Sequence, residues 1–267
     1  VATTDPAATS IARLPGYITH LALAFARPDL TYVGDLDLKG TGLEYPYSGQ
    51  VLKAAIGLLK ARVPAMKVLV SVGGWNYPAW DKLNAEALAR RVADLGADGV
   101  DEDYETHDPR CASDAAGRIA CPGDALNIQV VEEIRRALPR PLVVSAAAWS
   151  VGAYGEGSFV SALPRGPYAG VALALLRSPA LGALDLISIM SYDAGPAFRP
   201  DQAFRAYRTY WKGPLALGVQ VMPGTNGSPR FTLDYTVRML DGVLGDPAAG
   251  AMLYALREEP PGPRGPD

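Results

Sequence analysis

Short apolar runs alternate along the chain with longer amphipathic stretches. The apolar runs are rich in Val, Leu, Ile, Ala and aromatic residues, which is typical of buried strands. Seven runs predict strands over Tyr17–Phe25, Met66–Gly73, Gly99–Glu105, Pro141–Trp149, Leu184–Tyr192, Leu215–Met222 and Gly250–Leu256. Between them, apolar positions recur at helical spacing over Ser48–Arg62, Ala85–Leu95 and Ala125–Leu138.

Strands that alternate with helices of this length are joined by crossovers and lie parallel. The pattern therefore favours an α/β fold, a (β/α)₈ TIM barrel, over an open sheet. Residues 1–16 are small and polar and show no convincing strand, so the first strand of the barrel is either missing or atypical. We expect one catalytic domain over residues 1–257. Residues 258–267 (EEPPGPRGPD) form a Pro/Gly-rich tail that we expect to be disordered.

Composition narrows the class of protein. The chain has 267 residues, of which 49% are apolar, and a formal net charge of −3. These values exclude global disorder, and no apolar run approaches the roughly 18–20 residues of a membrane span. Because the sequence has no stripe of basic residues, nucleic acid is not expected as a partner. The sequence predicts a globular monomer with no membrane partner.

Two cysteines, Cys111 and Cys121, lie in one Gly/Asp-rich segment. A disulfide between them would close a short ring and is typical of secreted proteins, whereas the alternative is two unpaired thiols. We favour the disulfide. The chain starts at Val1 without a charged and apolar leader, which suggests a processed chain. We therefore expect a secreted protein.

The segment DGVDEDYE carries the strongest chemical signal. Asp101, Asp103 and Glu105 alternate along a predicted strand, so they share one face. Acids this close raise one another's pKa, as catalytic carboxylates do. The alternatives are a solvated acidic turn or a divalent-cation site. The position at a strand end favours catalysis, and we expect neither a metal nor another cofactor.

The segment Asp98–Glu105 matches D-G-x-D-x-D-x-E, the signature of glycoside hydrolase family 18, the chitinase family. Ser71–Gly74 resembles its S-x-G-G, Met190–Asp193 its M-x-Y-D, and Ser145–Ala147 its small-residue fifth strand. These matches stand in the family's order from about Tyr17 to Leu256. The sequence thus resembles the catalytic domain of this family.

The resemblance implies a role for each matched catalytic residue. Glu105 would protonate the glycosidic oxygen and then activate water, while the 2-acetamido group of the substrate attacks the anomeric carbon. Asp103 would orient that acetamido group, and Asp101 would share a proton with Asp103. Tyr192 would bond the acetamido carbonyl. The substrate-binding residues implied are Asp193, Met190, Ser71, Gly73, Gly74, Trp75, Trp149 and Tyr254.

Besides the first strand, two residues depart from the family pattern. Tyr254 stands where the family has a tryptophan under the scissile sugar. Glu102 occupies an outward strand position that is normally apolar, so it requires a cation, a solvated gap or a proton. Its candidate partners are Arg90, Arg91, Arg135 and Arg136.

The implied activity is retaining hydrolysis of β-1,4-linked N-acetylglucosamine in chitin or chito-oligosaccharides through an oxazolinium intermediate. Two alternatives stay open. One is an endo-β-N-acetylglucosaminidase that acts on N-glycans, and the other is a catalytically silent relative that binds chitin. The partner in every case is a polysaccharide or oligosaccharide that contains N-acetylglucosamine. The retained Glu105 argues against a silent relative, in which the acid is commonly replaced.

Overall fold

A computed structural model describes residues 2–220 and 232–256. Its main sheet has seven strands, in the order β1-β2-β3-β6-β7-β8-β9. These strands are β1 (His20–Ala26), β2 (Lys67–Gly73), β3 (Gly99–Asp103), β6 (Val143–Trp149), β7 (Leu186–Met190), β8 (Leu215–Gln220) and β9 (Ala249–Tyr254). The strands β4 (Ala112–Ser113) and β5 (Ile119–Ala120) pair as a separate antiparallel hairpin.

Six α-helices connect or flank these strands within the described residues. They are α1 (Gly49–Arg62), α2 (Ala85–Leu95), α3 (Asp124–Ala137), α4 (Leu173–Arg177), α5 (Pro200–Tyr210) and α6 (Leu233–Asp241). Among the described residues, no helix has the length and apolar character needed to cross a membrane. Each predicted strand and helix is present, with ends shifted by a few residues, and the last two residues of the predicted strand Leu215–Met222 lie outside the described residues.

The chain divides into two compact units, one formed by Val1–His107 with Gln129–Ser145 and the other by Asp108–Ile128 with the described part of Ala146–Asp267. The expectation of one catalytic domain over residues 1–257 stays a prediction. The expected tail at 258–267 lies outside the described residues.

In the first unit, β1, β2 and β3 lie parallel and side by side. Ser48 caps α1 by accepting from the Val51 N–H, and Asn84 caps α2 from the Ala87 N–H. The helices bury apolar residues such as Leu52, Ile56, Leu59, Leu88 and Val92, and the strands bury Val68, Val70 and Val100. Because parallel strands end at the same edge, this core brings the ends of β2 and β3 together.

Residues 2–16 form two short 3₁₀ helices, Pro6–Ala8 and Ile11–Arg13, and contain no strand. This agrees with the absence of a convincing first strand from the sequence. Ile11 and Ala12 are buried. Arg62 at the end of α1 donates a 3.0 Å hydrogen bond to the Ala12 carbonyl. The segment is therefore anchored to α1 and adds nothing to the sheet.

In the second unit, β7, β8 and β9 are parallel neighbours. The predicted disulfide is confirmed, because Cys111 and Cys121 are bonded directly beside the two strands of the β4–β5 hairpin. The hairpin is also held at Ile119, whose N–H donates to Glu156 Oε1 at 2.5 Å. Arg177 donates to the Ile119 carbonyl at 2.9 Å and forms an ion pair with Glu156.

Candidate active site

The predicted acids lie at the carboxyl end of β3. The strand ends at Asp103, two residues earlier than predicted, so Glu105 follows the strand instead of ending it. Asp101 lies opposite Ser71 on β2 in the parallel register. The Ser71 Oγ donates to Asp101 Oδ2 at 2.9 Å.

A second hydroxyl holds the same carboxyl group. Ser145 Oγ on β6 donates to Asp101 Oδ1 at 2.5 Å, so each Asp101 oxygen accepts from one serine. The sequence placed Ser145 in a small-residue strand but gave it no role. Burial raises the pKa of Asp101, and the two hydroxyl donors counteract part of that rise. Asp101 is thereby fixed in orientation by two neighbouring strands.

Asp103 is the more strongly perturbed carboxyl group. It is buried, and its Oδ1 has no hydrogen-bond partner among the described residues. Burial raises its pKa well above the usual range, and the charges of Glu105 and Asp101 add to the rise. A raised pKa favours the protonated form of Asp103, which lessens the repulsion expected from three neighbouring acids.

The two glycines after Ser71 allow the backbone to approach Asp103. Gly73 and Gly74 have φ of +101° and +72°, the left-handed region that favours glycine. A Cβ at Gly73 would lie 2.5 Å from the Asp103 carbonyl oxygen and would collide with the Trp80 ring. That same carbonyl accepts the Gly74 N–H at 2.9 Å. The S-x-G-G segment thus fixes the end of β3.

The tryptophans near these strand ends differ in exposure. Trp80 is 3% exposed and packs against Tyr104 with ring centroids 5.3 Å apart, so it belongs to the core. Trp75 is 48% exposed and lies beside the imidazole of His107. Trp75, a substrate-binding residue in the resemblance, is therefore exposed, whereas Trp80 is not.

The second unit carries the remaining predicted residues. Asp193 has φ of +53° and accepts from Gln220 Nε2 at 3.1 Å. Tyr192 and Tyr254 are stacked, with ring centroids 5.7 Å apart. Met190 is buried at the end of β7. The Gln220 contact was not predicted, because polar residues near a strand end give no distinctive sequence signal.

Trp149, at the end of β6, also belongs to an aromatic pair. It stacks on Tyr168 with ring centroids 4.0 Å apart and an interplanar angle of 16°. Tyr168 was missed in the sequence, since it lies in a loop without a regular apolar pattern. Trp149 and Tyr254, to which the resemblance gives a substrate-binding role, therefore each belong to an aromatic stack.

Parallel strands in chain order, each followed by a helical or loop crossover, define the (β/α) barrel class, and solved structures confirm it. A glycoside hydrolase family 18 chitinase from Pseudoalteromonas aurantia superposes with a TM-score of 0.65 and 22% identity, covering 94% of this chain and 90% of that one. A family 18 chitinase from Cycas revoluta in complex with (GlcNAc)3 has a TM-score of 0.51 and 15% identity, covering 87% and 76%.

In sequence, the chain is 31% identical over 159 residues to Chitinase B of Serratia marcescens. This alignment covers 52% of this chain and 28% of that protein, so the chain spans less than a third of the relative's length. No protein-family model matches the chain. The resemblance that the motifs indicated is therefore confirmed by the relatives, in sequence over 159 residues and in fold over most of the chain.

Proposed function

We propose that the chain is a family 18 glycoside hydrolase that cleaves β-1,4-linked N-acetylglucosamine in chitin or chito-oligosaccharides with retention of configuration. The observation that carries the proposal is the arrangement of three acids at the carboxyl end of β3: Asp101 is held by two serines, Asp103 is buried, and Glu105 follows two residues after the strand ends. A purely structural strand has no need of three acids, because burying them costs stability.

In the proposed first step, Glu105 gives its proton to the glycosidic oxygen as the bond from that oxygen to the anomeric carbon breaks. The acetamido carbonyl oxygen of the same sugar forms the new bond to the anomeric carbon and closes an oxazolinium ring. The sugar on the reducing side leaves as an alcohol.

In the second step, ionised Glu105 removes a proton from water, and the water oxygen attacks the anomeric carbon and reopens the ring. Two inversions give net retention, so the first product is the β-anomer.

Asp103 supports this chemistry through its proton. In its protonated form, Asp103 can hydrogen-bond the acetamido group, and it can pass its proton toward Asp101 as positive charge develops on the oxazolinium ring. The serine donors on Asp101 keep that acceptor in place. The resemblance assigns Tyr192 to the acetamido carbonyl, Asp193 to the scissile sugar, and Trp75, Trp149 and Tyr254 to stacking.

Chitin-type substrates are supported by the related Cycas revoluta chitinase, which is described in complex with (GlcNAc)3. The disulfide supports an extracellular location. Hydrolysis of N-acetylglucosamine hexamer beside a glycoprotein substrate separates chitinase from endo-β-N-acetylglucosaminidase activity. A silent binding relative would bind the hexamer and cleave neither substrate.

The decisive variant is Glu105→Gln, which keeps the shape and loses the transferable proton. It should lower kcat by more than about a hundredfold while oligosaccharide binding is retained. Glu132→Gln, at an exposed position of α3, is the matched control and should hydrolyse at the normal rate. Near-normal turnover by Glu105→Gln, or an α-anomer as the first product in an NMR time course, would contradict the mechanism.

A further inference from the structure

Two exposed rings meet just beyond the ends of β2 and β3. Trp75 lies two residues after β2, and His107 lies two residues after the proposed acid Glu105. Their ring centroids are 4.1 Å apart with an interplanar angle of 40°. Their proximity follows from the parallel pairing of β2 with β3, which brings the segments after both strands to one edge.

His107 also contacts the backbone of the same residue. Its Nε2 lies 2.8 Å from the Trp75 carbonyl oxygen. A carbonyl oxygen only accepts, so Nε2 carries the proton and donates it in this bond. His107 therefore contacts Trp75 twice, through the two rings and through the main chain, and its Nε2 proton is used in the second contact.

The exposure of Trp75 distinguishes it from packing tryptophans. Trp80 and Trp211 are 3% and 8% exposed, whereas Trp75 is 48% exposed. Leaving about half of an indole in water forgoes a large hydrophobic gain, and an exposed indole is suited to receive a flat apolar partner. The C–H face of a pyranose ring is such a partner, and the amphipathic indole matches its polar edges.

We propose that His107 is a positioning residue that holds the Trp75 indole ready to stack on an N-acetylglucosamine unit bound beside Glu105. The proposal rests on the proposed function, and it adds a residue outside the family motifs. Immobilising a mobile aromatic side chain at binding costs affinity, and a contact that fixes the ring beforehand removes part of that cost. His107 then acts on substrate binding and not on the chemical step.

The test is a set of His107 variants with chito-oligosaccharide kinetics. His107→Ala should raise KM by about two- to tenfold, the effect of freeing one large side chain, with kcat near normal. His107→Gln restores an N–H donor for the Trp75 carbonyl, and His107→Phe restores only the ring contact. Each should recover part of the lost affinity. His20→Ala, which removes the other histidine at the start of β1, is the control and should match the unaltered protein.

Combining the His107 and Trp75 substitutions distinguishes a positioning role from a general loss of protein stability. If His107 acts through Trp75, His107→Ala should cause no further rise in KM once Trp75→Ala is present. Additive effects of the two substitutions, an unchanged KM in His107→Ala, or a loss confined to kcat would each overturn the proposal.

Failure of the proposed function is measured separately. The Kd for N-acetylglucosamine hexamer is determined by calorimetry with Glu105→Gln, alone and combined with His107→Ala. Weaker binding in the combined variant supports the positioning role even if the unaltered protein cleaves nothing, which would overturn only the hydrolase proposal. Equal binding in both variants, with normal hydrolysis by the unaltered protein, would overturn only the role of His107.

Discussion

Replacing Glu102 with leucine should stabilise the protein. Glu102 is 1% exposed, and its Oε1 has no hydrogen-bond partner among the described residues. No ion pair within residues 2–220 and 232–256 includes it. Of the cations considered from the sequence, Arg91 is buried over the Tyr32 ring, and Arg135 donates to the carbonyls of Leu138 and Leu142.

Without a cation, Glu102 keeps its proton. Burial, and secondly the charge of Asp101, raise its pKa from 4.5 to about 8, against a smaller opposing effect of a hydrogen bond with the Tyr104 backbone. Between these two values the unfolded chain loses the proton and the folded chain retains it. The contribution of Glu102 is therefore least unfavourable below about pH 4.5, and stability falls as the pH rises toward about 8.

The size of the expected stabilisation follows from the two pKa values of Glu102, 4.5 and about 8. At about 1.4 kcal/mol per pKa unit, holding the proton at pH 7 costs about 3 kcal/mol. Leucine removes this cost but gives up the bond with the Tyr104 backbone, which is worth about 1 kcal/mol. The net gain should be about 1–3 kcal/mol at pH 7, and it should shrink toward pH 5.

Urea denaturation of Glu102→Leu at pH 5, 7 and 8 measures the gain and its slope with pH. Glu132→Leu, at an exposed position of α3, is the control and should show no comparable slope. Turnover per folded molecule should change little, because Glu102 does not belong to the proposed catalytic set. Destabilisation at every pH would reveal a cationic partner. An unchanged free energy of unfolding with a large loss of catalytic rate would show that Glu102 faces the substrate.

Three further changes test other parts of the structure. Cys111→Ser breaks the disulfide and should lower the free energy of unfolding by about 2–3 kcal/mol, while alkylation of the unaltered protein without reductant should label no thiol. Gly73→Ala should destabilise by about 2–4 kcal/mol in a thermal melt, since it adds a Cβ where neither space nor backbone permits one, whereas Gly57→Ala in open space on α1 should be neutral or stabilising. Ser145→Ala removes a hydroxyl donor and should raise the pKa of Asp101 in an NMR titration, and an unchanged pKa would show that the bond is unimportant.

Helices and strands were predictable from the sequence where the spacing of apolar residues shows which face of the element is buried. Helices α1 and α2 begin at side-chain caps, and the predicted strands other than Gly99–Glu105 contain apolar runs. The end of β3 was misplaced because alternation of acids continues through Glu105 while the sheet pairing stops at Asp103. The spacing of residues along a strand predicts which side chains lie on the same face. It does not predict where pairing with the neighbouring strand stops.

The acids of the site were evident from spacing alone, but their partners were not. The Ser145 contact with Asp101 depends on strand pairing between residues 44 positions apart, and the His107 contact with Trp75 joins residues 32 positions apart. Neither serine nor histidine stands out locally in composition. The absence of a cation near Glu102 was likewise undecidable, since four arginines on two helices were equally compatible with the sequence.

The anchored hairpin has a consequence for how the chain can be modified. Its base is fixed by the disulfide and by the bonds to Ile119, while Ala115, Ala116 and Gly117 at the tip are exposed. A Cβ on Gly117 would meet nothing within 4 Å. Changes of length at such a tip do not propagate through a closed base. The tip is therefore an insertion point where a foreign peptide or a reporter group can be carried without altering the strands below.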